Sequence, residues 1–286
     1  MTRAPQTTPI NDLPLRALAG AVAIFALIEC LTLIATREIK TRPAAFYLPA
    51  GEPQISLAEL IFGFAIATVF LILLLRVVKS RFFYTTLFGA VIAIAASYWF
   101  MVFLPMSISF LLAALIVLLA SSLRRVGVID LALVLGISGA AISLAYLANV
   151  TTLLFFLAIV SFYDIVAVHK TGHMIKLARG LIGQGAIFAL ILPPSFRGLA
   201  AKISEASREK GFFALGSGDA ALPAAFAAAA ARVSFGGAFG AVVGSIAGFG
   251  LLVFILRLQK NPRPMAALPP IAAGTILGYL IGIYLL

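Results

Sequence analysis

Charge is scarce in this chain, and acid is scarcer than base. Of 286 residues only 11% are charged, with 10 Asp and Glu against 21 Lys and Arg, a net charge of +11. Hydrophobic residues make up 63% of the chain and the mean hydropathy is +1.13. No soluble domain of this size could bury so much apolar surface, so a soluble fold is excluded and the solvent is a bilayer. The single cysteine, Cys30, lies within an apolar run, which excludes a disulfide framework and a Cys-based metal site. The basic residues fall in short stretches between apolar runs rather than on a face interleaved with aromatics. That excludes a nucleic-acid surface and points to membrane topology and anionic lipid.

What is present is a series of long apolar runs. A bilayer-crossing helix needs about 20 mostly apolar residues. On that criterion the chain is one all-α polytopic domain of nine spans, at 15–35, 57–78, 83–103, 105–121, 129–149, 151–169, 211–231, 235–257 and 265–286. The first run follows a polar leader with little positive charge and precedes no small-residue cleavage site, so it reads as a span rather than a signal peptide. With the N-terminus inside, all but Arg37, Lys40, Arg42 and Arg232 of the 21 basic residues fall on the cytoplasmic side. The positive-inside rule therefore places the N-terminus in the cytoplasm and the C-terminus outside. The connection 170–210 is then a cytoplasmic loop. Within it, 173–182 reads as an interfacial helix and 186–192, stopped by Pro193 and Pro194, as a strand with an open edge that could take extended peptide.

Two of the few acids stand inside these runs: Asp164 within 153–168 and Asp219 within 212–231. A carboxylate in hydrocarbon costs several kcal/mol and marks a functional site by default. Asp164 lies roughly 9 Å from the cytoplasmic end of its span and Asp219 roughly 13 Å from its own, at the helical rise. The two can therefore meet at similar depth on adjacent antiparallel helices. Glu29 lies about 20 Å from Arg16, beyond the midplane, with no obvious partner. Glu59 and Asp130 stand at span ends, where snorkelling or capping suffices.

Two carboxylates brought close share a proton, one acting as acid and the other as base. Such a pair suits hydrolysis of a peptide bond by an activated water and needs no metal or cofactor. Around Asp219, Gly216 and Gly218 flank Ser217 and let the backbone approach closely or loosen. Pro223 lacks the N–H that would bond the Asp219 carbonyl, favouring a kink at the acid. Tyr163 places a hydroxyl and an aromatic face beside Asp164.

Tyr163-Asp164, Gly216-Ser217-Gly218-Asp219 and Ala267-Leu268-Pro269 resemble, in order, the YD, GxGD and PAL motifs of the presenilin and signal-peptide-peptidase family of intramembrane aspartyl proteases. The likeness covers essentially the whole chain, including the nine spans and the long loop between the acidic ones. It implies a presenilin-like fold and a catalytic dyad of Asp164 and Asp219. It also implies that Ala267, Leu268 and Pro269 shape the site and engage transmembrane-helix substrates. The chain departs from the pattern at Ala266, which stands where the family's proline of PAL is expected. The N-in orientation is presenilin-like. The compact loop, without long acidic inserts, points to a prokaryotic, archaeal homologue that works without accessory subunits.

Other features have plainer readings. His169 and His173 are four apart, a zinc-compatible spacing, but Gly172 interrupts the turn and no third ligand is near, so they read as a solvated loop end. Gly236, Gly240, Gly244 and Gly248 form a close-packing stripe. Phe82-Phe83-Tyr84 reads as an interfacial belt. The rival function is a proton-coupled transporter or channel using the acids as a relay. It predicts broken spans repeated in both halves, a symmetry that the sequence does not show.

Overall fold

The computed structural model describes residues 15–41, 55–168, 187–206, 212–258 and 265–285. His169, His173 and the expected interfacial helix at 173–182 lie outside them. Among the described residues there are nine α-helices: α1 (Leu15–Thr41), α2 (Leu57–Val77), α3 (Arg81–Met101), α4 (Met106–Leu123), α5 (Val126–Leu147), α6 (Val150–Val166), α7 (Ser217–Val233), α8 (Phe235–Leu258) and α9 (Leu268–Leu285). Between α6 and α7 a two-stranded antiparallel sheet is formed by β1 (Ala189–Leu192) and β2 (Phe213–Gly216).

Seven of these helices are long and apolar enough to cross a membrane; α6 and α7, the two that carry the aspartates, are not among the seven. Each has 17 residues, about 26 Å at the helical rise against a hydrocarbon core of about 30 Å. The seventh expected span loses its beginning because Phe213–Gly216 is strand, not helix. Its apolar residues satisfy either reading, and pairing with β1 decides for extended backbone. The first helix, by contrast, runs past the expected end at residue 35 to Thr41, since hydropathy marks the membrane boundary and not the end of the helix.

α7 is the hub, touching α1, α5, α6, α8 and α9. Its alanines from Ala224 to Ala230 are buried around Phe226, and their small side chains let five helices surround one. α8 and α9 pack still closer. A Cβ added at Gly240 would strike the Gly278 carbonyl oxygen, and one at Gly244 would strike that of Gly274, so backbone lies on backbone. α3 packs on α4 and α5, and α2 against α6, burying none of its own residues.

The outer surface is apolar, with Phe62, Phe70, Leu111 and Phe162 all more than 60% exposed, as lipid contact requires. Buried hydroxyls return to their own helices: Thr32 donates to the Ile28 carbonyl and Thr275 to that of Ile271, both at 2.8 Å. In the aromatic triplet, Phe82 faces outward but Tyr84 turns inward and donates to the Val78 carbonyl at 3.0 Å. Glu59 closes a capping box with Ser56 at the start of α2, as its position at a span end suggested. Glu29, which the sequence left unpartnered, accepts from Ser245 of α8 at 2.8 Å.

Candidate active site

Asp164 is brought inside by the periodicity of α6. Leu153, Phe156, Leu157 and Val160 are the buried positions of that helix, and Asp164 continues the same stripe in its last turns. The residue is 4% exposed. Its Oδ2 accepts the backbone N–H of Leu268 at 3.3 Å. Leu268 opens α9, so this N–H is one of the donors that a helix start leaves without an internal partner. Pro269 and Pro270 follow it within the first turn, where a missing N–H costs nothing. Ala266, in the place of the expected proline, is buried at 3% exposure, and Ala267 packs against the main core.

Asp219 reaches the site by another route. It lies in the first turn of α7, three residues after the N-cap Gly216, and accepts the Gly216 N–H. This is the backward-reaching half of a capping box, with the acid at the third helical position bonded to the N-cap amide. Gly216 itself has ordinary dihedral angles, φ −58° and ψ 137°, so its lack of a side chain serves space, not backbone freedom. A Cβ there would lie 2.8 Å from Asp219 Oδ2. Gly218 is different: a Cβ there would meet nothing within 4 Å, leaving open room beside the acid. Pro223 lies inside α7 and is buried.

The two carboxylates are close enough that the charge of Asp164 acts on Asp219. Each meets the start of a helix, Asp219 that of α7 and Asp164 that of α9, where the partial positive charge favours an anion. Tyr163 points toward α2, its ring edge-on to Phe64 with centroids 5.6 Å apart. Among the described residues no group of three His, Cys, Asp or Glu could hold a metal.

The sheet ties Asp219 to the rest of the fold. Ser217 N–H donates to the Phe188 carbonyl at 3.0 Å, extending the β1–β2 pairing into the first residue of α7. Ala189 pairs with Gly216 and Leu192 with Phe213. The Ile191 N–H points away from β2 and is taken by Asp130 Oδ1 of α5 at 2.8 Å. Asp130 is thus neither snorkelling nor capping. It is 3% exposed and anchors β1 from behind. The open edge expected on 186–192 is corrected accordingly: β1 is flanked by β2 on one side and α5 on the other. Among the described residues the edge of β2 away from β1 has no strand partner, and Ala214 is exposed there. No sequence signal singled out Asp130, because its partner is a strand amide 61 residues away.

The sequence profile of the family described as "Signal-peptide peptidase, presenilin aspartyl protease" matches residues 22–286. Among solved structures, the chain is similar to a presenilin family intramembrane aspartate protease in its C222 crystal form. The TM-score is 0.66 at 20% identity, over 94% of this chain and 99% of that one. The P2 form gives a TM-score of 0.63 at 23% identity, over 96% and 99%. At such identities these likenesses show the fold. A comparison with curated proteins gives no match.

Proposed function

Because the chain belongs to the signal-peptide peptidase and presenilin family of aspartyl proteases, we propose that Asp164 and Asp219 are its catalytic dyad. The protein is an integral membrane aspartic endopeptidase, an intramembrane aspartyl protease. The observation that carries the dyad is that the charge of Asp164 reaches Asp219, while each acid accepts a helix-start amide, Leu268 for Asp164 and Gly216 for Asp219.

A pair that shares one proton supplies both halves of the reaction. The ionised carboxylate takes a proton from a water, whose oxygen attacks the scissile carbonyl. The protonated carboxyl gives its proton to the carbonyl oxygen, forming a tetrahedral gem-diol. Return of a proton to the amide nitrogen lets the C–N bond break and releases amine and acid. Either residue can fill either role. Tyr163, Gly216, Ser217, Gly218, Ala267, Leu268 and Pro269 shape the site, with the room beside Gly218 available to substrate.

The substrates are transmembrane segments of membrane proteins. A helical carbonyl is bonded within its own helix, so the segment unwinds before cleavage. The outer edge of β2 would receive the unwound stretch as an added strand, leading it toward Asp219. All nine helices would cross or enter the bilayer, with the N-terminus in the cytoplasm of a prokaryotic cell. The short α6 and α7 hold the acids near the cytoplasmic surface, where water can arrive. No accessory subunit is invoked. The relay reading gives way to family membership.

The test is turnover of a fluorogenic single-span peptide by purified wild type, Asp164→Ala and Asp219→Ala. Both variants should lose cleavage while keeping their thermal unfolding transition. Retained cleavage by Asp219→Ala would overturn the assignment.

A further inference from the structure

Apart from the dyad, the bundle holds a cleft of about 400 Å³ between α3, α4 and α5. Its walls are apolar, built from Phe88 and Ile92 of α3, Val117 of α4 and Ile129 of α5. Gly89 helps to keep it open, since a Cβ there would lie 3.0 Å from Val117 Cγ1. Arg81 and Arg124 line the cleft, along with the hydroxyl residues Thr85 and Ser121, and no carboxylate is among the lining residues. α3 begins and α4 ends at this point, so both guanidinium groups belong to the same end of the bundle. The approach to the sheet reaches the same end, because Ile187, two residues before β1, also lines the cleft.

Arg124 is an unusual choice for its position. It has φ 48°, the only positive φ at a non-glycine among the described residues, and caps α4. Glycine or asparagine takes this left-handed conformation at less cost. A long cation kept there is consistent with a function for its side chain.

We propose that this cleft binds an anionic phospholipid from the leaflet on the dyad side. The phosphate would lie between Arg81 and Arg124, with one acyl chain against Phe88, Ile92, Val117 and Ile129. The chemistry is complementary at both ends: two cations with hydroxyl donors at the mouth and a purely apolar interior. Bound lipid would also support the proteolytic site, and this part rests on the dyad assignment. The Phe88 ring meets that of Phe188 edge-on at 4.6 Å between centroids. The Phe188 carbonyl in turn accepts the Ser217 N–H, two residues before Asp219.

Native mass spectrometry tests binding separately from activity. Protein reconstituted in phosphatidylcholine containing phosphatidylglycerol is extracted, and the phosphatidylglycerol retained per molecule is measured. Wild type should retain it selectively. Arg81→Gln with Arg124→Gln should bind it about 30-fold more weakly, at the ordinary contribution of a basic residue beside an anionic surface. Arg197→Gln with Arg257→Gln removes the same charge from residues that do not line the cleft and should leave retention unchanged. Equal loss in both pairs would overturn the proposal in favour of general surface attraction. Glycerol phosphate, a headgroup without chains, should not displace the lipid, and displacement would also overturn it.

Arg124→Asn separates binding from folding. It suits the left-handed backbone, so stability in pure phosphatidylcholine should hold or rise while phosphatidylglycerol retention falls. Undiminished retention would refute the site. With binding established, phosphatidylglycerol should raise peptide turnover in wild type and not in the double variant. Equal stimulation of both would refute the link to the sheet while leaving the dyad untouched.

Discussion

Gly216→Ala tests whether the tight fit at the N-cap of α7 serves catalysis and not folding. An alanine Cβ at 216 would stand 2.8 Å from Asp219 Oδ2, so the carboxylate must withdraw by about 0.6 Å to reach an ordinary contact of 3.4 Å. The atom displaced is the end of a side chain, not backbone, so the fold can absorb it. The stability terms also oppose one another. Alanine is a poorer N-cap than glycine by roughly 0.5–1 kcal/mol. At an allowed φ and ψ it recovers about 0.4–1 kcal/mol by restricting the unfolded chain.

Net stability should therefore stay within about 0.5 kcal/mol. Turnover should not be spared. A misplacement of ~1 Å costs on the order of a hundredfold, so about 0.6 Å predicts a loss of tenfold or more in kcat. The assay is steady-state cleavage of a fluorogenic single-span peptide, with thermal unfolding followed through Trp99, the one tryptophan in the chain. Trp99 donates to the Leu31 carbonyl at 3.2 Å and so reports the packing of α1 on α3. Wild-type kcat in the folded variant would refute the reasoning. So would a fall in stability large enough to explain the lost activity.

Other substitutions separate anchoring from packing. Asp130→Ala should remove the anchor of β1 and lower kcat/KM about tenfold, the scale of one hydrogen bond to a charged group, while Asp130→Asn keeps the acceptor and most of the activity. Equal loss in both would discount the Ile191 contact. Ser245→Ala removes the hydroxyl that donates to buried Glu29, whose Oε2 already has no partner among the described residues, and should cost about 1–3 kcal/mol in denaturant unfolding. Adding Glu29→Leu should restore much of that loss, because both polar groups are then gone. Gly244→Ala drives a methyl into the Gly274 carbonyl and should cost about 1–3 kcal/mol by forcing α8 and α9 apart, read as a lower unfolding midpoint.

The residues of the candidate site could be named from the sequence because their signals are local. Asp164 is marked by standing inside an apolar run at a depth that Asp219 can match, and the structure adds that it continues the buried stripe of α6. Asp219 is marked by the flanking glycines and Pro223, and the two motifs with Leu268-Pro269 pointed to the family. Gly240 and Gly244 likewise announced a close helix contact without naming the partner. The sequence places Phe213–Gly216 in the helical span 211–231, because these residues fit helix and strand alike and only pairing with β1 decides for strand. It missed Asp130 and the Glu29–Ser245 contact for a similar reason: these partners are 61 and 216 residues apart, and neither carries a pattern that points to the other.

The sequence by itself determined the solvent, the helical class and the two candidate acids, Asp164 and Asp219, because hydropathy and motif are properties of neighbouring residues. Only the tertiary structure decided which backbone amides those acids accept, that β1 is covered by β2 and α5, and that a side chain at 216 would crowd Asp219. Those are properties of segments that meet after folding, set by packing around α7 and by hydrogen bonds that close over long separations.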